Sequence, residues 1–241
     1  MALLSRAGVA PGARCLEVAC GGGDLACDMA RLVGPAGSVL GTDVDVPQLD
    51  IARAEALAQG LGNLQFECSD ITQDPITEAF DVIHVRFLLT HLADPVAAVA
   101  KLVAALKVGG VLIVEDIDFH GQFAYPPLPA ADRYSELYTR TVQARGGDPF
   151  IGCRLPSMLL AAGLDAVEVQ VSHPVGLAGE VKLVTPITME NIAEAVVGAA
   201  LASRAEVDQI VDALYAFARA PDTLLSCPRI VQTWGRRTAT R

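Results

Sequence analysis

The segment CLEVACGGGDLACDMA, residues 15–30, sets three consecutive glycines between a short apolar run and a helical pattern. Glycines at that junction allow a tight turn and bring backbone N–H groups close to a ligand, while the start of the following helix favours an anion. Asp43 closes the next apolar run, VLGTD. An acidic group there accepts hydrogen bonds from ribose hydroxyls, whether the cofactor is a nicotinamide dinucleotide or S-adenosylmethionine (SAM). Gly21-Gly22-Gly23-Asp24-Leu25-Ala26 also fits the dinucleotide fingerprint G-x-G-x-x-A, so the loop alone leaves both cofactors open. A merely structural glycine turn is disfavoured, because turn and acidic strand end occur together in one βαβ frame.

A second group of residues could move protons. His84, His91 and His120, three of the four histidines, fall with Arg86, Asp116, Asp118 and Phe119 in two short stretches, apart from His173. Histidine titrates nearest neutral pH and is the first choice for a base. His91 and His120 are the candidates, with a supporting role as the alternative for each; His84 reads as a packed strand residue. Asp116 and Asp118 could serve as a base, bind a cationic acceptor, or cap strand ends. Arg86 could clamp a carboxylate or make a surface salt bridge.

These residues need a frame. Short β-branched runs alternate with helical patterns in the first half, the sign of a parallel sheet with crossover helices. Strands are expected at about 14–19, 38–43, 64–68, 80–85 and 111–116, with helices at about 24–33, 47–59 and 95–106. In the last helix Asp94 can cap, Pro95 suits the first turn, and Val96, Val99, Val103 and Leu106 share a face. Gly109-Gly110 is expected to break it. Residues 117–130 read as a loop, followed by helices at about 130–145 and 154–162 and a strand at about 166–172. Helices near 188–202 and 205–219 follow, then a strand near 229–235. Ser203-Arg204-Ala205-Glu206 has the pattern of a capping box. In such a sheet the ligand crevice lies outside the carboxyl ends of the strands, which is where the second group falls.

Composition excludes several classes. The formal net charge is −10, from 18 basic and 28 acidic residues, and lysine occurs only at 101, 107 and 182. Nucleic-acid binders use clustered Lys and Arg to displace phosphate counterions, so no nucleic-acid partner is expected. No stretch approaches the roughly 18 apolar residues of a membrane span, and no secretory signal is evident. The six cysteines show no C-x-x-C spacing, so no metal site is expected, and their apolar surroundings suit a reducing cytoplasm. No linker or repeat divides the 241 residues, so one domain is expected.

Five segments in order, LEVACGGG, VLGTDVD, FECSDI, FDVIHVRFLLTHLADP and LKVGGVLIVEDID, resemble the class I SAM-dependent methyltransferases, in particular the small-molecule type 11 or UbiE-like group. The resemblance runs from about Gly8 to Phe119. It implies a Rossmann-like, doubly wound α/β sheet, mostly parallel with the last strand antiparallel, plus helical acceptor-binding insertions. Residues 1–119 would form the SAM-binding half of a single domain, 1–241, and 120–241 the acceptor-binding insertions and the last two strands. SAM would be held by Glu17, Ala19, Cys20, Gly21, Gly23, Asp43, Val44, Gln48, Asp70, Ile71, Val85 and Arg86, and released as S-adenosylhomocysteine. Within that set Ala19 and Gly21 face the methionine part, Asp43 the ribose, Asp70 and Ile71 the adenine, and Val85 and Arg86 the methionine end. His91, His120 and Asp118 are the catalytic candidates.

Two departures from the family stand out. Its first motif usually reads D-x-G-x-G-x-G, whereas Glu17 and Ala19 here replace the Asp and the first Gly, so reshaped binding is expected. Only about a dozen residues precede the first strand, where the family usually has helices closing over the cofactor. Either the chain is shortened there or the site is open. The expected activity is methyl transfer from SAM to an O, N or C nucleophile of a small, fairly apolar metabolite in the cytoplasm, and a homodimer is compatible with the sequence. The alternative is a SAM-binding protein of the same fold that does not methylate: a cyclase, isomerase or binding partner. A nicotinamide oxidoreductase is disfavoured, since no Ser/Tyr/Lys catalytic set is recognisable.

Overall fold

The computed structural model describes residues 2–239. Helix α1 (Ala2–Ala7) precedes β1 (Arg14–Val18), α2 (Asp24–Val33), β2 (Ser38–Asp43), α3 (Val46–Ala58), β3 (Leu64–Cys68) and β4 (Phe80–Arg86). Then come α4 (Pro95–Ala104), β5 (Leu106–Asp118), β6 (Ala124–Tyr125), α5 (Pro129–Ala144), α6 (Leu155–Ala161) and β7 (Leu164–Ser172). The chain ends with β8 (Val175–Gly176), α7 (Glu180–Gly198), α8 (Arg204–Arg219), β9 (Leu224–Ser226) and β10 (Arg229–Arg237). Seven strands form one sheet in the order β3-β2-β1-β4-β5-β10-β7, parallel from β3 to β5, with β10 antiparallel to both its neighbours. This is the expected mixed sheet, and its order reverses between β1 and β4. That switch point opens the crevice in which open α/β sheets bind ligands.

Apolar alternation sets the two faces of the sheet. Leu16, Val18, Ile83, Val85, Leu112 and Val114 meet α4 and α6, whereas Cys15, Val39, Val82, Ile113 and Trp234 meet α1 and α2. Capping fixes several helix starts: Asp45 accepts from the Gln48 amide at 3.2 Å, Asp94 from Ala97 at 2.9 Å, and Ser203 from Glu206 at 3.1 Å. Each cap satisfies one otherwise unpaired N–H at its helix start.

Four readings need correction. The first residues form α1, whose Leu3, Leu4 and Ala7 are buried against Trp234 and neighbouring apolar groups. Gly109-Gly110 does not stop α4, which ends at Ala104; the pair makes an irregularity inside the 13-residue strand β5. Gly109 has φ +85°, and a Cβ on Gly110 would lie 2.9 Å from the Lys107 carbonyl oxygen. Those glycines are needed for the turn itself. The stretch 117–130 is not all loop, because β6 pairs with β9, which pairs with β8 in a small second sheet.

The fourth correction is α7, which begins at Glu180 and continues through Pro186. A proline inside a helix removes a hydrogen bond and normally marks a break. Here tertiary anchoring compensates. Lys182 is buried, and its ammonium donates to the carbonyls of Leu177, Ala220 and Thr223 and to the Thr223 hydroxyl. Helices α5, α7 and α8 then pack around Tyr134, Tyr138, Met189, Val196 and Leu214, beside the carboxyl end of β5.

Candidate functional site

The glycine loop leaves β1 and enters α2 through three left-handed residues: Ala19 (φ +57°), Gly21 (φ +51°) and Gly23 (φ +80°). Alanine tolerates that region poorly, so Ala19 occupies a position built for glycine. A Cβ placed on Gly21 would meet nothing within 4 Å, which is open space in front of the loop. Gly23 differs: its Cβ would lie 2.8 Å from the Ala52 Cβ and 2.9 Å from Phe66. Its lack of a side chain therefore serves packing of α2 against α3 and β3. Cys20 is buried, its amide donates to the Thr42 carbonyl at 2.9 Å, and burial raises its thiol pKa to about 12. It is neutral and holds shape.

Asp43 ties the crevice together. One carboxylate oxygen accepts from the Gly21 amide at 2.8 Å and the other from the Asp45 amide at 2.9 Å. Each oxygen retains a lone pair for a further donor. Val44 and Gln48 beside it are exposed, an apolar and an amide group at the edge of the same opening. Asp70 is half-buried and accepts from the Thr72 amide and hydroxyl at 2.8 and 2.7 Å; these bonds hold its pKa below the usual carboxylate value. The Ile71 carbonyl takes the Lys101 ammonium at 2.6 Å. Val85 is fully buried with its side chain in the α4/α6 core, so only its backbone can border the crevice.

Arg86 and Phe87 finish β4. Arg86 is exposed, with its guanidinium 5.6 Å from the Phe87 ring centroid, and among the described residues it forms no ion pair. The salt-bridge alternative is thus absent. Phe87 has φ +56° and stays partly exposed, held by its amide on the Glu115 carbonyl at 2.9 Å. Left-handed backbone at Ala19 and Phe87, on adjacent strand ends, marks strain concentrated at the switch point.

The proton-handling candidates separate sharply. Asp118 is buried, and one oxygen accepts from the His120 amide at 3.1 Å and lies 2.7 Å from the His120 Nδ1. Its other oxygen pairs with Arg229 at 2.5 Å. Burial alone would raise the Asp118 pKa, but the bonds from His120 and the Arg229 charge hold it below the ordinary value. Ionised Asp118 can only accept, so His120 keeps its hydrogen on Nδ1 and presents a free Nε2. The ring is exposed and stacks on Phe150 at 4.1 Å.

Asp118 therefore orients His120 and is not itself a free base. His91 sits on the short turn Leu89–His91, exposed at the surface; desolvation by its surroundings and the nearby Arg145 depress its pKa. Asp116 is buried and binds the amides of Ile117 and Thr90 at 2.8 and 3.1 Å, fixing that turn to β5. Burial lifts its pKa to about 7.

Sequence reasoning missed Arg229, which arrives from the far end of the chain, and Glu115, which proves to be the partner of His84 at 2.8 Å. The acidic pair Glu115-Asp116 inside an apolar strand was the available signal. A cavity of about 480 Å³ lies elsewhere, over the outer face of β1–β3, where the segment between β3 and β4 forms turns and no crossover helix. It borders neither His120 nor the glycine loop.

Residues 10–146 match the model of a methyltransferase domain family. The chain belongs to that family. The ubiquinone/menaquinone biosynthesis C-methyltransferase UbiE of Teredinibacter turnerae is 34% identical over 137 residues, covering 56% of this chain and 53% of the relative. The chain thus spans about half the length of the curated relatives it matches. A solved Bacillus halodurans protein assigned as a methyltransferase superposes with a TM-score of 0.67 at 19% identity, over 99% of this chain and 98% of that one. The [4+2]-cyclase SpnF superposes at 0.59 with 22% identity, over 99% and 80%. At those identities the likeness concerns the fold.

Proposed function

We propose that this methyltransferase-family protein moves the methyl group of SAM to an O, N or C nucleophile on a small, fairly apolar metabolite, releasing S-adenosylhomocysteine. The observation that carries the reading is the crevice at the β1/β4 switch point. It has open space before Gly21, Asp43 bonded to the loop with lone pairs to spare, and exposed Val44 and Gln48 at its edge. Residues 1–119 supply that cofactor half, with Glu17, Ala19, the Ile71 amide, the Val85 backbone and Arg86 around it and Asp70 shaping the adenine side. Residues 120–241 supply the acceptor half, where Tyr134 and Tyr138 sit in an apolar, aromatic cluster with Phe119 from the end of the cofactor half.

Methyl transfer from a sulfonium is an in-line displacement, so alignment of nucleophile, methyl and sulfur is the main requirement. The cofactor, when bound, supplies the activated methyl group. His120, oriented by Asp118 and Arg229, is the base for an acceptor that must lose a proton. His91 lacks an orienting carboxylate and takes the supporting role. The acidic chain, −10 overall, suits a small-molecule acceptor and no nucleic acid. Among the described residues no helix is long and apolar enough to cross a membrane, and we place the activity in the cytoplasm.

Calorimetric titration with SAM, followed by detection of S-adenosylhomocysteine with candidate quinol, phenol and amine acceptors, tests this reading. Binding without turnover on any acceptor favours the second reading, a non-methylating enzyme, which the shared fold with a [4+2]-cyclase keeps open. Absence of SAM binding overturns both.

A further inference from the structure

Phe87 is an aromatic side chain with almost nothing to pack on. It follows β4 directly and is 39% exposed. It belongs to none of the three apolar clusters, and it stacks on no other ring among the described residues. The next two residues behave otherwise: Leu88 packs against the core beneath α4, and Leu89 is fully buried in it. What the Phe87 ring does meet is a cation, the Arg86 guanidinium, 5.6 Å from its centroid.

The backbone beneath that ring is strained. Its φ of +56° lies in a region that a bulky residue rarely enters and a glycine enters freely. The Phe87 amide donates to the Glu115 carbonyl at 2.9 Å and carries the β4–β5 pairing one residue past Arg86. Strands β1 and β4 run parallel with Val18 beside Val85, so Phe87 stands two residues beyond that pair, as Cys20 does in the glycine loop. The Arg86 charge acts on Glu17 of β1 and on Glu115 of β5, holding both carboxyl pKa values down. The ring beside that guanidinium therefore borders the opening between β1 and β4, where the loop leaves space before Gly21. An unpacked ring on a strained backbone at a ligand crevice points to what the crevice takes.

We propose that Phe87 distinguishes the charged cofactor from its neutral product, its ring face taking the sulfonium of SAM. The inference rests on the methyltransferase reading above and concerns the same site. A trialkyl sulfonium has no N–H or O–H to donate, so no acceptor in the crevice can fix it by an ordinary hydrogen bond. The negative face of an aromatic ring attracts such a cation as it does a quaternary ammonium. A carboxylate would attract it more strongly, but that attraction would be lost as the charge disappears in the transfer, and the barrier would rise. Methyl transfer leaves the S–C electron pair on sulfur, bonds the methyl to the acceptor and turns the sulfonium into a neutral thioether. The ring then holds the product by packing alone, so S-adenosylhomocysteine gives way to fresh SAM. Arg86, one residue earlier, is left for the methionine carboxylate at the other end of the same short chain.

Calorimetric titration of the whole chain with SAM and with S-adenosylhomocysteine, which differ by one methyl and one charge, gives the ratio of the two affinities. The ratio cancels what a substitution does to folding and to contacts that both ligands share. Phe87→Leu and Phe87→Met keep an apolar side chain and remove the ring face. Each should lower the affinity for SAM relative to S-adenosylhomocysteine by about 3- to 30-fold. The affinity for S-adenosylhomocysteine itself should stay within about threefold, and Phe87→Tyr, which keeps the face, should hold the ratio within about twofold. An unchanged ratio in the leucine and methionine variants overturns the proposal, and a raised acceptor KM alongside it places the ring against the acceptor instead. A tyrosine variant that loses as much as the leucine variant also overturns it. All three results leave the methyltransferase reading standing, whereas a wild type that binds neither ligand overturns both together.

Discussion

Ala19→Gly is the substitution that most directly tests how the loop is built. Ala19 holds φ +57° at the end of β1, where a left-handed alanine costs about 1–2 kcal/mol relative to its preferred backbone. Glycine removes that cost, but its freer unfolded chain returns about 0.4–1 kcal/mol of it. The net expectation is stabilisation by about 0.5–1 kcal/mol, or a rise in Tm of roughly 1–4 °C for a chain of this size. Because Ala19 already has the backbone a glycine would take, loop geometry is unchanged and SAM affinity should stay within about threefold, a difference under ~0.7 kcal/mol. Differential scanning calorimetry with and without SAM measures both quantities. A Tm equal to or below the wild type would show that Ala19 is not strained. A SAM affinity changed tenfold would show that its methyl group shapes the site, as the departure from the family motif suggested.

Asp43→Ala removes the acceptor of the Gly21 and Asp45 amides and should weaken SAM binding about 100-fold, roughly 3 kcal/mol, from two charge-assisted bonds; isothermal titration gives the answer, and an unchanged Kd refutes the assignment. Asp118→Asn places an NH2 group where His120 or Arg229 needs an acceptor. It should cut kcat about 100-fold or more on an acceptor that must lose a proton while leaving SAM affinity within a few-fold, and equal losses in both would make the pair structural. Lys182→Met strands the Leu177, Ala220 and Thr223 oxygens inside the fold and should cost about 2–4 kcal/mol by urea denaturation. Glu17 and Asp116 have pKa values raised to about 8 and 7, above their ordinary ones. Below about pH 6.5 the depressed pKa values of His84 and His91 act in the opposite sense, so the effect of the two carboxyls stands alone above it: there the folded chain binds more protons than the unfolded one, and stability should fall from about pH 6.5 to 8. A Tm that instead climbs steadily from about pH 6.5 to 8 contradicts those shifts.

The first half of the fold was legible because its signals are local. Gly21, Gly23 and Asp94 act within one βα junction or one helix turn, and turn chemistry and capping write themselves into adjacent residues. The distinction between Gly21, open in front, and Gly23, packed on Ala52 and Phe66, was not legible. It depends on how α2, α3 and β3 approach one another. The same holds for Asp118, open in the sequence between a base, a binder of a cationic acceptor and a strand-end cap, and found bound to His120 and, across the chain, to Arg229.

What resisted reading most was the role of polar residues inside apolar strands. His84, Glu115 and Gln232 each look like isolated exceptions in the sequence, and only strand order brings them together. Their alignment follows from the period of two: alternate residues of neighbouring strands share a face, so polar residues in register, as Glu115 with Gln232, or two residues apart, as His84 and Glu115, form a continuous line. A single slip of one residue in β4 would turn His84 into the α4/α6 core and leave Glu115 buried without its partner. An unpaired charge in that setting is far costlier than an apolar mismatch, so the polar line also disfavours the wrong register. The ladder therefore bears on folding, by fixing which residues of β4 and β5 meet.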